Sequence, residues 1–269
     1  MRVSFPQFVR LGSEQGFFYR NPLVAWFFRT IGPLGVHARI RNARVLNALM
    51  RFELDSKRIL DLGSGHGYAL FWLAPRYPDS IFEGIELDGS QVEECKQVAE
   101  SLQLENLSFR QGTYEDLKQP DTYDVIFSID VLEHVEDDMG MLQRMAEVLK
   151  PGGRLVIHVP LRHQIQQRIF PTFAGHTVED HVRDEYLPEE IQAKIEAASC
   201  QVESLEFGFG FWGELAFELN NLFWQNRVLR NVTALLTLPV SLVAGYVDST
   251  RHLKRGNSIL VIARKPDIL

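Results

Sequence analysis

An α/β fold, with a doubly wound and mostly parallel sheet of seven strands, follows from three features of this 269-residue sequence. The first is a short apolar run, Ile59 to Leu62, that breaks into Gly63, Gly65 and Gly67. It resumes at once with Leu70, Phe71, Leu73 and Ala74 at helical spacing, giving strand, glycine turn and helix. The second is repetition, because strand-like and helical runs alternate as far as Pro160. The third is that polar residues gather where the strand-like runs end, the place where open α/β sheets bind ligands.

Residues 1–57 precede the first strand and are rich in aromatics, with Arg10, Arg20 and Arg29 among them. Gly32, Pro33 and Gly35 break this segment. A helical pattern follows, with Ile40, Ala43, Leu46 and Met50 on one face and Arg39, Arg41 and Arg44 on others. The segment is expected to pack on a sheet edge and to act as a helical lid over a pocket.

The second strand is expected within Ser80–Asp88, ending at Glu86, about twenty residues beyond the glycine turn. A carboxylate there can accept two hydrogen bonds from a vicinal diol such as a ribose. Ser90 to Glu93 has the form of a capping box, and Val92, Cys95, Ala99 and Leu102 run down one face of the helix behind it. Leu107–Gln111 is the third strand, followed by Gly112, Thr113 and Tyr114; Tyr123–Ile129 is the fourth, followed by Asp130. Met141, Met145, Val148 and Leu149 mark the next buried helix face, Lys150 to Gly153 reads as a turn, and Leu155–Val159 is the fifth strand.

Spacing decides which cofactor the glycine turn suits. A dinucleotide fingerprint needs its third glycine three residues after the second, whereas here it comes after two. The order Asp61, Gly63, Gly65, Gly67 resembles the first motif of class I S-adenosylmethionine-dependent methyltransferases. With Gly84-Ile-Glu-Leu-Asp88, Val131-Leu-Glu-His-Val135 and Leu149-Lys-Pro-Gly-Gly-Arg-Leu155, it is similar to the branch that includes the ubiquinone and menaquinone methyltransferases. The resemblance covers roughly residues 55–160 and implies a Rossmann-like fold. It also implies an S-adenosylmethionine site formed by Asp61, Gly63, Ser64, Gly65, Gly67, Glu86, Leu87, Thr113, Tyr114 and Ser128. Related enzymes often carry an acid directly after the third-strand glycine to read the adenine amino group; Thr113 departs from that pattern.

Beyond Pro160 a polar stretch holds His163, His176 and His181. A helix from Pro188 to Ala198, a sixth strand from Val202 to Phe209 and a last strand from Asn257 to Lys265 complete the sheet. An apolar, helical insertion at 211–250 separates the last two strands. Pro239 breaks its final run, Val232 to Val247, which is too short for a bilayer span of about 20 apolar residues. The organisation expected is one continuous domain: the lid at 1–57, a cofactor-binding half at 58–160 and a substrate-side half at 161–269.

Several functions are disfavoured by composition. A net charge of −7 argues against nucleic acid as a partner, and two cysteines without short spacing suggest neither a disulfide framework nor a zinc site. No signal peptide is expected, and the reducing cytoplasm is the expected compartment, with peripheral membrane contact through 211–250. Methyl transfer from a sulfonium is an in-line displacement that needs alignment above all. His134 is the candidate base, and no metal is expected: some ubiquinone-pathway relatives bind one with a Glu–Glu–His set, but Asp130 replaces the first Glu beside Glu133 and His134. The expected acceptor is an apolar or amphiphilic small molecule, quinone-like, isoprenoid or lipid. The alternatives are a non-catalytic scaffold with this fold, a sugar or protein methyltransferase, and a nicotinamide oxidoreductase.

Overall fold

A computed structural model describes residues 2–19, 21–162, 185–223 and 225–267. His163, His176 and His181, singled out above, and Trp224 of the insertion lie outside the described residues. The N-terminal segment folds as α1 (Phe5–Arg10), a 3-10 helix (Ser13–Phe18), α2 (Pro22–Ile31) and α3 (Val36–Leu49). The body then runs β1 (Arg58–Leu62), α4 (Tyr68–Leu73), β2 (Ile81–Glu86), α5 (Gly89–Ser101), β3 (Leu107–Gln111), β4 (Tyr123–Ile129), α6 (Asp138–Val148) and β5 (Leu149–Pro160). It closes with α7 (Pro188–Ala197), β6 (Gln201–Gly208), α8 (Phe211–Asn220), α9 (Arg227–Thr250) and β7 (Ser258–Arg264).

The seven strands form one sheet in the order β3-β2-β1-β4-β5-β7-β6. β7 is antiparallel to both of its neighbours, and the other pairings are parallel. The doubly wound prediction therefore holds. Ile59, Leu60 and Leu62 are buried because β1 is covered on both faces, as a central parallel strand must be. One face packs on α3, α4, α5 and α9, the other on α6 and α7.

Four local readings change. β5 begins at Leu149, not Leu155. Tyr123 pairs with Leu149 and Val125 with Arg154, so Lys150 to Gly153 bulge within the strand, with Gly152 at φ +75°. The cap of α5 is Asp88, whose side chain accepts from the Ser90 N–H at 2.8 Å, instead of Ser90 itself.

The third correction concerns α3. Arg39 and Arg44 do not face solvent but are buried. Arg39 donates to the carbonyls of Ile31 (2.6 Å) and Pro33, stitching α3 to the end of α2. Arg44 pairs with Asp248 of α9 at 3.0 Å. Asp248 also accepts from the N–H groups of Phe209 (3.1 Å), Gly210 (2.9 Å) and Gly213 (3.1 Å), so one carboxylate ties three segments together. Burying a charge is tolerable only with such partners.

The fourth is α9. Pro239 does not break it, and the helix runs for 24 residues. A proline removes one N–H and frees the carbonyl four residues earlier. Pro239 and Leu235 both lie on the exposed side, where that carbonyl can be hydrated. The helix is long and apolar enough to cross a bilayer, but a third of its most apolar window is buried within the protein. The aromatics near the insertion are only partly core: Phe211, Trp212 and Phe223 are exposed, as is Trp26 on α2.

Candidate active site

The glycine turn and the start of α3 line one cleft of about 360 Å³ at the carboxyl end of the sheet. Asp61, Gly63, Ser64 and Gly65 contribute from β1 and the turn. Pro33, Gly35, His37, Ala38, Arg41 and Asn42 contribute from α3 and the residues before it, with Tyr68, Gln91 and Ile129 between.

The turn is shaped by its backbone. Gly63, Gly65 and Gly67 all have positive φ (81°, 50° and 68°). The N–H groups of Gly63 and Ser64 share the Ile85 carbonyl at 2.8 and 3.0 Å, which fixes the turn to the end of β2. Two of the glycines are sterically enforced: a Cβ on Gly63 would sit 2.3 Å from the Val131 side chain, and one on Gly67 would sit 2.8 Å from Phe109. Gly65 differs. A Cβ there would meet no protein atom nearer than Gln91 Oε1 at 3.7 Å, so the space above it is open to a ligand.

Two buried polar atoms beside that space have no protein partner among the described residues: Asp61 Oδ1 and Ser64 Oγ. Burial, with the nearby Glu86 charge adding to it, pushes the Asp61 carboxyl well above the usual range. An uncompensated carboxylate and a hydroxyl next to an open glycine turn fit the ammonium end of an amino-acid ligand. Glu86 accepts from Gly65 N–H at 2.8 Å and from Asp88 N–H at 3.1 Å, so it lies directly against the turn. The donor set therefore fits S-adenosylmethionine.

The other predicted residues are placed less uniformly. Leu87 is exposed beside Glu86. Thr113 caps a 3-10 helix, Tyr114–Asp116, accepting from Glu115 N–H at 3.2 Å while its own N–H meets Asp116 at 2.9 Å. Neither Thr113 nor Tyr114 lines the cleft. Ser128 is buried, donates to the Leu62 carbonyl at 2.7 Å and so ties β4 to β1, and does not line the cleft.

Asp130, Glu133 and His134 do not share a face. Residues Leu132–His134 form a 3-10 turn in which Glu133 is buried and His134 exposed. His134 does not line the cleft. Asp130, at φ +52°, instead lies 2.5 Å from His158 Nδ1 and pairs with Arg41. Burial works to raise its pKa, but the His158 and Arg41 charges outweigh burial and hold it below the usual carboxylate range. Burial and then the Asp130 charge raise Glu133. His158, within β5, is buried and hydrogen-bonded, with Nε2 3.1 Å from Ser258 Oγ. No group of metal-binding side chains occurs among the described residues. Sequence reasoning missed His37, Arg41 and Asn42; the one available signal was their i, i+4, i+5 spacing just after the Gly-Pro break.

The comparison that decides the family is a match of residues 53–207, more than half of the chain, to the methyltransferase domain model. The chain belongs to that family. With its fold, this makes it a class I S-adenosylmethionine-dependent methyltransferase. Curated relatives include a trans-aconitate 2-methyltransferase of Deinococcus radiodurans, 33% identical over 126 residues, and a ubiquinone biosynthesis O-methyltransferase of Coxiella burnetii, 34% identical over 106. These alignments cover 47% and 39% of this chain and 46% and 44% of the relatives, so the chain spans less than half the length of either. Among solved structures, phosphoethanolamine N-methyltransferase 2 of Haemonchus contortus, in complex with S-adenosyl-L-methionine, has a TM-score of 0.60 at 19% identity. That likeness covers 98% of this chain and 60% of the other. The cyclase SpnF is similar too, with a TM-score of 0.61 at 18% identity, covering 86% and 82%. Both likenesses show the fold.

Proposed function

We propose that this methyltransferase transfers the methyl group of S-adenosylmethionine to an apolar or amphiphilic small molecule of the quinone-like, isoprenoid or lipid class. The observation that carries the reading is what stands behind the cleft. α3 lines it, and α8, which the sheet does not need, backs α3: His37 meets the Phe217 ring edge-on at 6.0 Å, and Asn220 bonds Leu34 O (3.0 Å) and Val36 N–H (3.3 Å). Beyond that junction α8, although it does not itself line the cleft, carries Phe211 and Trp212, both exposed, an aromatic surface open to an apolar molecule. The ubiquinone relative supports the same acceptor class.

When bound, S-adenosylmethionine supplies a methyl group already activated by its positive sulfur, which leaves alignment and water exclusion to the protein. Asp61, Ser64 and the turn at Gly65 would hold the amino-acid end, and Glu86 the ribose hydroxyls. His37 on the α3 wall replaces His134 as the side chain placed to take a proton, a role required only if the acceptor must lose one. A second reading, an anionic acceptor, draws on Arg41 in the cleft and on the trans-aconitate relative. Arg41 is already paired with Asp130, which favours the first reading.

Untargeted mass spectrometry of lipids and small molecules from cells with and without the protein tests the acceptor. A lipid-extractable species heavier by one methyl, and lost on deletion, is expected; a water-soluble acid in its place would select the second reading. Calorimetry tests the cofactor site: Glu86→Ala should weaken S-adenosylmethionine binding by about 1–3 kcal/mol.

A further inference from the structure

From residue 219 to residue 247 this acidic chain contains none of its 35 acidic residues. The stretch holds all but the last turn of α9, which has two unlike stripes. Ala234, Leu238, Leu242 and Gly245 are buried or closely packed, with Gly245 against Val36 and Ile40 of α3. Val228, Val232, Leu235, Leu236, Val240 and Val243 are 49–75% exposed and recur at steps of three and four, so they share one side of the helix. Isolated exposed apolar residues are ordinary, but six aligned along one helix are a patch.

Charge says what covers it. Arg227 stands exposed at the first position of α9, and Arg251, Lys254 and Arg255 stand exposed beyond its last. Cations at both ends of an apolar stripe, with the one carboxylate between them, Asp248, buried on the opposite side, suit an anionic bilayer surface. The geometry selects a helix lying in the interface over one crossing the membrane. The inner stripe carries buried Ser241 and Asp248, and Asp248 is held by Arg44 and three backbone N–H groups, so α9 cannot leave the protein without stranding those groups in hydrocarbon.

We propose that the outer stripe of α9 is a docking face for anionic lipid, laid in the plane of the bilayer surface. The inference rests on the proposed acceptor class only for its purpose: α9 packs on α3, whose first turns line the cleft, and this brings the cleft close to lipid-dissolved molecules. Docking itself requires neither cofactor nor acceptor.

Flotation of the full chain with vesicles tests it. The protein should float with phosphatidylcholine vesicles containing phosphatidylglycerol, far less with phosphatidylcholine alone, and should be released in part by added salt. Leu236→Glu and Val232→Glu change exposed positions, so circular dichroism and S-adenosylmethionine binding should be unchanged. Each should lower partitioning about tenfold or more, the burial of one large apolar side chain being lost. Absence of flotation with anionic vesicles, or undiminished flotation of folded Leu236→Glu, would overturn the proposal. So would a dimer in ultracentrifugation that Leu236→Glu converts to monomer, because a second copy would then own the stripe. A water-soluble acceptor would refute the proposed function while leaving flotation as it is.

Discussion

The glycine turn and α3 line the same cleft, yet opposite means hold them in place. The turn is fixed locally, by backbone N–H groups on Ile85 O and Glu86 at the neighbouring strand end. The α3 wall is fixed from afar: Arg44 finds its partner 204 positions away and Val36 finds Asn220 at 184. Turn chemistry shapes a site wherever its motif occurs, whereas a wall held by long-range side-chain contacts exists only once the whole chain has folded. The two walls should therefore fail differently.

The largest effect is expected from Asp248→Ala. It leaves Arg44 buried without its counter-ion and three N–H groups without an acceptor, at a cost of about 3–5 kcal/mol in urea unfolding. A loss below about 1 kcal/mol would mean that α3 is held by apolar packing alone. Gly63→Ala and Gly65→Ala make the next contrast. The first drives a Cβ against Val131 at positive φ and should cost about 2–4 kcal/mol of stability, partly recovered by Val131→Ala. The second has room within the protein, so it should cost only about 1 kcal/mol of stability yet weaken S-adenosylmethionine about tenfold or more. Equal stability losses with no binding difference would remove the open space above Gly65 from the site.

The smallest effect is a pH dependence on the helical side. Burial, opposed by the Asn257 amide, raises Glu214 of α8 from 4.5 to about 7. The folded state then holds that proton more tightly than the unfolded chain does. Its stabilising contribution is complete below about pH 4.5 and is lost as pH rises through about 7. Glu214→Gln should flatten part of this slope, read as the change in urea midpoint between about pH 5 and about pH 8. An unchanged slope would place Glu214 in contact with water.

The same contrast governs what could be read from the sequence. Period-two and helical patterns, glycine spacing and acids at strand ends are local signals, and they gave the sheet and the turn, Glu86 included. Arg39, Arg41 and Arg44 mislead because an arginine looks like surface until its carbonyl or carboxylate partner is known. His134 reads as a site residue because it closes a stretch shared with ubiquinone-pathway relatives, and the sequence does not say how the backbone turns after Asp130. Asp130 in fact stands at positive φ before a 3-10 turn that sends its neighbours apart. Pro239 looked like a helix end because nothing in the sequence says which side of α9 its freed carbonyl meets.

The position of β7 bears on how the protein comes into being. Residues 258–264 fill the slot between β5 and β6 but are synthesised after every other strand. Until they leave the ribosome, the edge of β5 with Val156, Ile157 and Val159 is open, and β6 has no neighbour to pair with. Open apolar edges of this kind are where nascent chains stick to one another or are captured by chaperones. The sheet must therefore wait, with most of its length already made, for seven residues to latch it shut.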